Sequence, residues 1–359
     1  VTPDTAISPT VSLDEIADTA AELAELRRSA DDILRQAWSV DRSRALLDGP
    51  GPAFDEALWT TVTDLGWPDV LVSEDNGGAG GALRELAVLV EAAGAAAAPI
   101  PLAATAAAGW SEDRCSDGVA VLLPESGTLA GQMVSGTFNF VPYGAVATRL
   151  VVLAEDNRQS LLGVVDPNGM GVKRAPLKPL DHGPAALITL DGAPLRVITD
   201  GADAVRRHRD ALLRLRVGLV AELVGVAAAA NDAATEYAKV RVAFDRPIGS
   251  FQAIKHRLVD QRSAIEVGRA LVNRAADACD QHHPDATALV SLAAFWAIDS
   301  LRAVPEGATQ VFGGIAYTWE HEAHVHLRRA ATLSASLGPR AEHRTAITDW
   351  LAARSGVQR

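Results

Sequence analysis

The chain has 359 residues, 48% hydrophobic and 22% charged, with a formal net charge of −12. This is enough globular sequence for two or three packed layers or domains; no uninterrupted apolar run approaches the ~18 residues of a membrane span, and the acidic balance excludes nonspecific nucleic-acid binding while leaving room for a local basic patch. Cys115 and Cys279 lie far apart, outside any CxxC or Cys/His spacing, and Val1-Thr-Pro-Asp-Thr-Ala lacks the basic and apolar regions of a signal peptide. Neither a disulfide framework nor a metal site is expected, and the chain reads as cytoplasmic.

Ser12-Leu-Asp-Glu15 reads as a capping box, after which Ile16, Leu23, Leu26, Ile33 and Leu34 fall at helical spacing to about Trp38. The turn-rich Asp48-Gly-Pro-Gly-Pro52 gives way to a short amphipathic segment through Phe54, Leu58, Trp59 and Val62, which stops at Gly66-Trp-Pro68. Val70 to Gly81 is a loop with four glycines ahead of a helical run from Leu83 to Ala93. It lacks GxGxxG spacing and a P-loop lysine, so a plain loop outweighs a phosphate cradle. Ala95 to Ala108, with Pro99 and Pro101, suggests a helix broken near its start and packed closely through small side chains.

From Val119 the pattern changes to short β-branched and apolar runs punctuated about every ten residues, the spacing of an antiparallel sheet or small barrel. Long helices return from Asp203: Arg206 to Val240, Ile254 to Cys279, Ala286 to Val304, Glu320 to Ser336 and Arg340 to Arg354. The expected architecture is α+β and multi-domain. It has an N-terminal helical domain over 1–112, a reduced middle β domain over 113–202 and a C-terminal helical domain over 203–359.

Between the first two C-terminal helices lies Arg241-Val-Ala-Phe244-Asp-Arg246-Pro247-Ile-Gly249-Ser-Phe251-Gln252-Ala-Ile-Lys255-His256. Taken alone it is a solvated basic turn between helices, or a group of cations facing an anion across a subunit boundary. A second distinctive stretch is Gln310-Val-Phe-Gly313-Gly314-Ile-Ala-Tyr317-Thr318-Trp319-Glu320-His321. Together, in an order of helices, sheet and helices, these stretches resemble the signature motifs of the acyl-CoA dehydrogenase family. Glu74 to Gly81 and Glu91-Ala-Ala-Gly94 match that family more weakly.

The resemblance implies the acyl-CoA dehydrogenase fold with a C-terminal four-helix bundle. It also implies FAD, a tetramer built as a dimer of dimers, α,β-dehydrogenation of an acyl-CoA thioester and an electron-transfer flavoprotein or similar acceptor. Arg241 would pair with the FAD pyrophosphate, Phe244 would pack on the cofactor and Gln252 would bond its adenosine half. Gln310 and the Gly313-Gly314 backbone would approach the ADP portion, and in this family these groups serve the neighbouring subunit's FAD. The residue types suit that work, since a guanidinium matches a diphosphate and paired glycines let a backbone come close.

The family's catalytic base is a glutamate at one of two places, and this sequence holds Leu215 at one and Leu337, ahead of Gly338, at the other. Leucine cannot accept a proton. Glu222 and Glu320 are the nearby acids; Glu222 is the weak candidate for a relocated base, and Glu320 reads as structural. The family's Thr-Glu-Pro loop over the flavin has no counterpart between Trp110 and Met133. Phe140-Val141-Pro142 replaces a Trp-Ile-Thr/Ser run, and proline brings neither an N–H nor a hydroxyl. The chain thus resembles the degenerate subunit of actinobacterial α2β2 acyl-CoA dehydrogenases of steroid side-chain degradation, paired with a complete paralogue. The alternatives are a self-sufficient homo-oligomeric dehydrogenase and a non-redox scaffold of the same fold.

Overall fold

The structure, a computed structural model, describes residues 13–355, with side chains from residue 19 onward. Ser12 and the Glu15 side chain, the two ends of the expected capping box, lie outside the described residues. The N-terminal region consists of helices α1 (Leu13–Ala37), α2 (Val40–Asp48), α3 (Glu56–Asp64), α4 (Leu83–Ala95) and α5 (Leu102–Glu112). Helix α2 is not foreseen in the sequence, because it is short, Leu47 is its one fully buried apolar residue with Val40 and Leu46 partly buried beside it, and its fastening is largely polar. Ser43 accepts from the Trp38 indole at 2.8 Å and donates to the Ala97 carbonyl at 2.7 Å. The glycine-rich loop is a loop indeed. Its Gly80 and Gly81 amides donate to the Val72 and Val70 carbonyls, so they are not free to hold a phosphate.

Eight strands follow: β1 (Ala120–Leu122), β2 (Gly127–Ala130), β3 (Met133–Val141), β4 (Arg149–Glu155), β5 (Ser160–Val165), β6 (Val172–Pro176), β7 (Ala186–Pro194) and β8 (Arg196–Asp200). They form one sheet in the order β6-β7-β3-β2-β4-β5-β8, with β1 also on β4. The sheet is mixed rather than purely antiparallel. β1 and β2 are two pieces of one interrupted run around Pro124, and both lie parallel to β4. A proline has no N–H to give to the ladder, which breaks the run there.

The C-terminal region begins with α6 (Gly201–Val240), a 40-residue helix that contacts most of the other layers. After it come a two-stranded hairpin, β9 (Val242–Ala243) and β10 (Arg246–Pro247), then α7 (Gln252–Asp280), α8 (Ala286–Trp296), α9 (Ala303–Phe312), α10 (Ala323–Ser336) and α11 (Arg340–Ser355). The expected single helix over 286–304 is instead split by a π turn at Ala297–Leu301. The stretch Ala286–Tyr317 is long and apolar enough to cross a membrane by length and composition alone, although Asp299, Arg302 and Glu306 interrupt its apolar run; 44% of its most apolar window is buried inside the protein.

Helices α4 and α6 touch backbone to backbone. A Cβ on Gly94 would lie 2.2 Å from the Glu222 carbonyl oxygen, and one on Gly225 would lie 2.0 Å from the Glu91 carbonyl oxygen. Only glycine permits that approach from either side. Beside the crossing, the buried Glu91 carboxylate is clamped by Arg27 of α1 at 2.9 Å and Arg269 of α7 at 2.8 Å. One continuous apolar core runs from α1 and α3 through the sheet to α6, α7, α8 and α10.

Candidate functional site

Leu212, Leu215, Arg216, Leu219 and Glu222 recur at three- and four-residue spacing, so α6 turns all five to one face. That face walls a cavity of about 500 Å³ closed by the sheet and by α10. Leu215, half-buried, and Leu337, 1% exposed, line the same cavity although 122 positions separate them by number. Phe140, Val141 and Pro142 line it from the end of β3. The two positions expected to hold a base therefore converge, and neither carries a proton acceptor.

The carboxylates of the wall are Glu125, Glu222 and Glu342; the first and last are exposed, and Glu222 is buried. Glu222 accepts from the Arg329 Nε at 2.7 Å and from its Nη2. The same guanidinium reaches Asp181 at 2.7 Å and donates to the Tyr143 hydroxyl at 3.0 Å, which in turn donates to the Ile100 carbonyl at 2.9 Å. Burial pushes the Glu222 carboxyl above its ordinary value, and Arg329 pulls it back. Burial opposes the Arg329 charge, yet Glu222, Tyr143 and Asp181 outweigh it and hold the guanidinium firmly protonated. Glu222 thus reaches the cavity, with its charge already committed to an arginine.

At the far end of α6 the chain makes a different surface. Arg241 caps the helix, its N–H donating to the Tyr237 carbonyl at 2.9 Å. Phe244 and Asp245 then turn the hairpin, both at positive φ (52° and 62°), the geometry of a tight two-residue connection. The expected helix–helix turn is thus a hairpin, because those two positive φ values fold Arg246-Pro247 back on Val242-Ala243. Phe244 is 89% exposed, touching Phe251 edge-on at 6.1 Å, and the Arg246 guanidinium sits 4.1 Å from the Phe251 ring centre. Gln252 opens α7 with its side chain exposed.

Gln310 is exposed near the end of α9, where Gly313 takes a positive φ of 69° and nothing lies within 4 Å of a Cβ built on it or on Gly314. Ile248 from the hairpin side and Val311, Phe312 and Ala316 from the Gln310 side share one small apolar cluster with the end of α6. The two motifs are brought to the same end of the bundle. Arg241, Lys255 and His256 make no ion pair among the described residues. The exposed, unpaired Arg241 and Lys255, at the same end of the bundle as the open glycines, are of a kind that fits a diphosphate-bearing group such as FAD, and their exposure would leave the other side of any such site to a second molecule.

Glu320, the other acid considered, is exposed, and its carbonyl accepts from Arg44. Sequence reasoning missed Tyr143, Asp181 and Arg329. The Arg328-Arg329 pair was a signal, since a helix carrying two adjacent arginines turns them to different faces and one is apt to point inward. No cluster of three or more potential metal ligands occurs among the described residues.

Residues 205–352 match the family model described as acyl-CoA dehydrogenase, C-terminal domain. The chain is 34% identical over 282 residues to acyl-CoA dehydrogenase IpdE2 of Mycobacterium tuberculosis, covering 77% of this chain and 81% of that protein. It is 33% identical over 296 residues to acyl-CoA dehydrogenase FadE34 of the same organism, covering 78% of this chain but 40% of that longer protein. Among solved structures, a Tcur3481–Tcur3483 steroid ACAD variant superposes with a TM-score of 0.84 at 27% identity, covering 94% of this chain and 99% of the other.

Proposed function

Because the chain belongs to the acyl-CoA dehydrogenase family, we propose that it is the non-catalytic subunit of an FAD-dependent acyl-CoA dehydrogenase, acting in the cytoplasm beside a complete paralogue. The observation that carries this reading is that Leu215 and Leu337, the two positions where the family's base is expected, wall one cavity and leave it without a free proton acceptor at either. What the chain retains is the exposed end of the bundle. There Arg241 would pair with the pyrophosphate of the partner's FAD, Phe244 would pack on it and Gln252 would bond its adenosine half. Gln310 and the open backbone of Gly313 and Gly314 would approach its ADP portion. When bound, FAD would supply the acceptor for a hydride from the β-carbon of an acyl-CoA, and a base would take the α-proton.

The base would come from the partner, in an α2β2 assembly, with electrons passing on to an electron-transfer flavoprotein or similar acceptor. A bulky, steroid-type acyl group is supported by the structural relative that its own description calls a steroid ACAD. Co-expression with the candidate paralogue tests the proposal. The lone chain should purify flavin-poor and inactive, and the co-purified complex should be yellow and oxidise acyl-CoA. Bound FAD and normal turnover in the lone chain would overturn it.

A second reading, a self-sufficient enzyme using Glu222, is favoured by the place of that residue in the cavity wall. Under it, Glu222→Gln abolishes turnover of the lone chain without loss of flavin; under the first reading there is no turnover to lose.

A further inference from the structure

Arg216 is the one cavity residue whose charge the cavity's missing base does not explain. It lies half-buried on the same face of α6 as Leu212, Leu215 and Leu219, and it makes no hydrogen bond or ion pair among the described residues. Glu342 of the exposed rim attracts it from beyond hydrogen-bond range, and the neighbouring His343 is buried. Burial draws the pKa of Arg216 downward, with Glu342 only partly compensating. None of its guanidinium nitrogens is among the buried atoms that lack a partner, so the group is open to the cavity and free to receive an anion there.

Arg216 and Glu222 stand six residues apart on one helix, roughly 9 Å along its axis. Leu219 lies between them, so the cavity has a cationic pole, an apolar middle and a closed ion-paired pole.

We propose that this cavity binds an apolar molecule carrying a single carboxylate, with the carboxylate on Arg216 and the hydrocarbon body along Leu212, Leu215 and Leu219. A lone guanidinium matches a carboxylate in charge and in its two-pronged geometry. The exposed Glu125 and Glu342 at the cavity's rim disfavour a more highly charged head such as a phosphate ester. A cavity of about 500 Å³ is within the usual range for a small ligand and has room for an aliphatic acid of about ten carbons. The inference goes beyond the proposed function. Binding is read without flavin, paralogue or turnover, so either idea can fail while the other stands.

The test is calorimetric titration of the full chain with decanoate, and with decanamide as its uncharged counterpart. One decanoate per chain is expected, bound about 10- to 100-fold more tightly than decanamide, as one charge-assisted contact implies. Arg216→Gln should erase that preference, whereas Arg216→Lys should keep part of it. Leu219→Trp, which fills the middle of the cavity, should abolish binding of both compounds while the circular dichroism stays unchanged. Equal binding of the two compounds, no decanoate binding, an unaltered preference in Arg216→Gln, or decanoate binding that survives Leu219→Trp would each overturn the proposal.

Discussion

Arg329 of α10 and Asp181 of the loop before β7 meet at 2.7 Å across 148 residues of chain, and the same guanidinium holds Glu222 of α6. One cation therefore fastens the sheet region, the longest helix and α10 at a point where all the partners are nearly buried. Replacing Arg329 by methionine leaves two buried carboxylates without their counter-charge. The expected loss is about 3–5 kcal/mol in unfolding free energy, because removing one partner of a buried pair exposes the desolvation cost of the others. Urea denaturation measures it; a loss below about 1 kcal/mol would show that the network is superficial.

The α4–α6 crossing gives a second expectation. Gly225→Ala introduces a methyl where 2.0 Å is available to the Glu91 carbonyl oxygen, so the helices must part. Overpacking of this kind costs about 1–3 kcal/mol. The crossing also bears on the cavity, since Glu222 lies under Gly94. Thermal unfolding of Gly225→Ala beside Gly51→Ala compares this close approach with a glycine that has open space around it, and only Gly225→Ala should melt at a lower temperature.

Stability should fall on mild acidification. His208 and His343 are buried, each with Nε2 against a backbone carbonyl (Leu123 at 2.8 Å, Leu337 at 2.9 Å), and burial lowers both from the ordinary value of 6.5. In the unfolded chain they protonate as the pH drops through 6.5, while in the folded chain they resist until lower pH. The unfolded state then holds more protons, so stability is intact above 6.5 and lost as the pH falls from there through the folded values. Each group contributes a slope of up to about 1.4 kcal/mol per pH unit. Urea midpoints at pH 8 and pH 5.5 should differ accordingly, and His208→Gln should flatten the dependence.

Two substitutions address the proposed division of labour between subunits. Arg241 is exposed and unpaired, so Arg241→Gln should leave the lone chain's stability within about 0.5 kcal/mol. In a co-expressed complex it should lower flavin content, read from the visible absorbance. Leu337→Glu puts a carboxylate back into the cavity wall and should still give no acyl-CoA oxidation by the lone chain, because Phe140 to Pro142 remain without a hydroxyl donor. Turnover by that variant would contradict the reading.

The helices were legible because their apolar positions repeat at 3.6 residues over long spans, as in α6 and α7, and Leu215 and Leu337 were singled out by the resemblance to the family, although their convergence on one cavity was not. Less legible features depend on contacts remote in sequence. Nothing around Asp181 or Tyr143 announces that Arg329 will arrive from 148 and 186 residues away. The hairpin after Arg241 escaped because Phe244 occupies a positive φ usually left to glycine, asparagine or aspartate. The parallel pairs on β4 escaped because strand direction is set by the path of the chain and not by local propensity.

Phe244 stands at the tip of its hairpin almost wholly in water, with Val240, Val242 and Tyr317 also exposed. Phe244 also bears the backbone strain of its turn. An orphan copy of the chain thus carries a surface prone to sticking to others. Under the proposed pairing with a companion subunit, the amount made would have to be matched to that subunit, which favours synthesis in step with it over free accumulation.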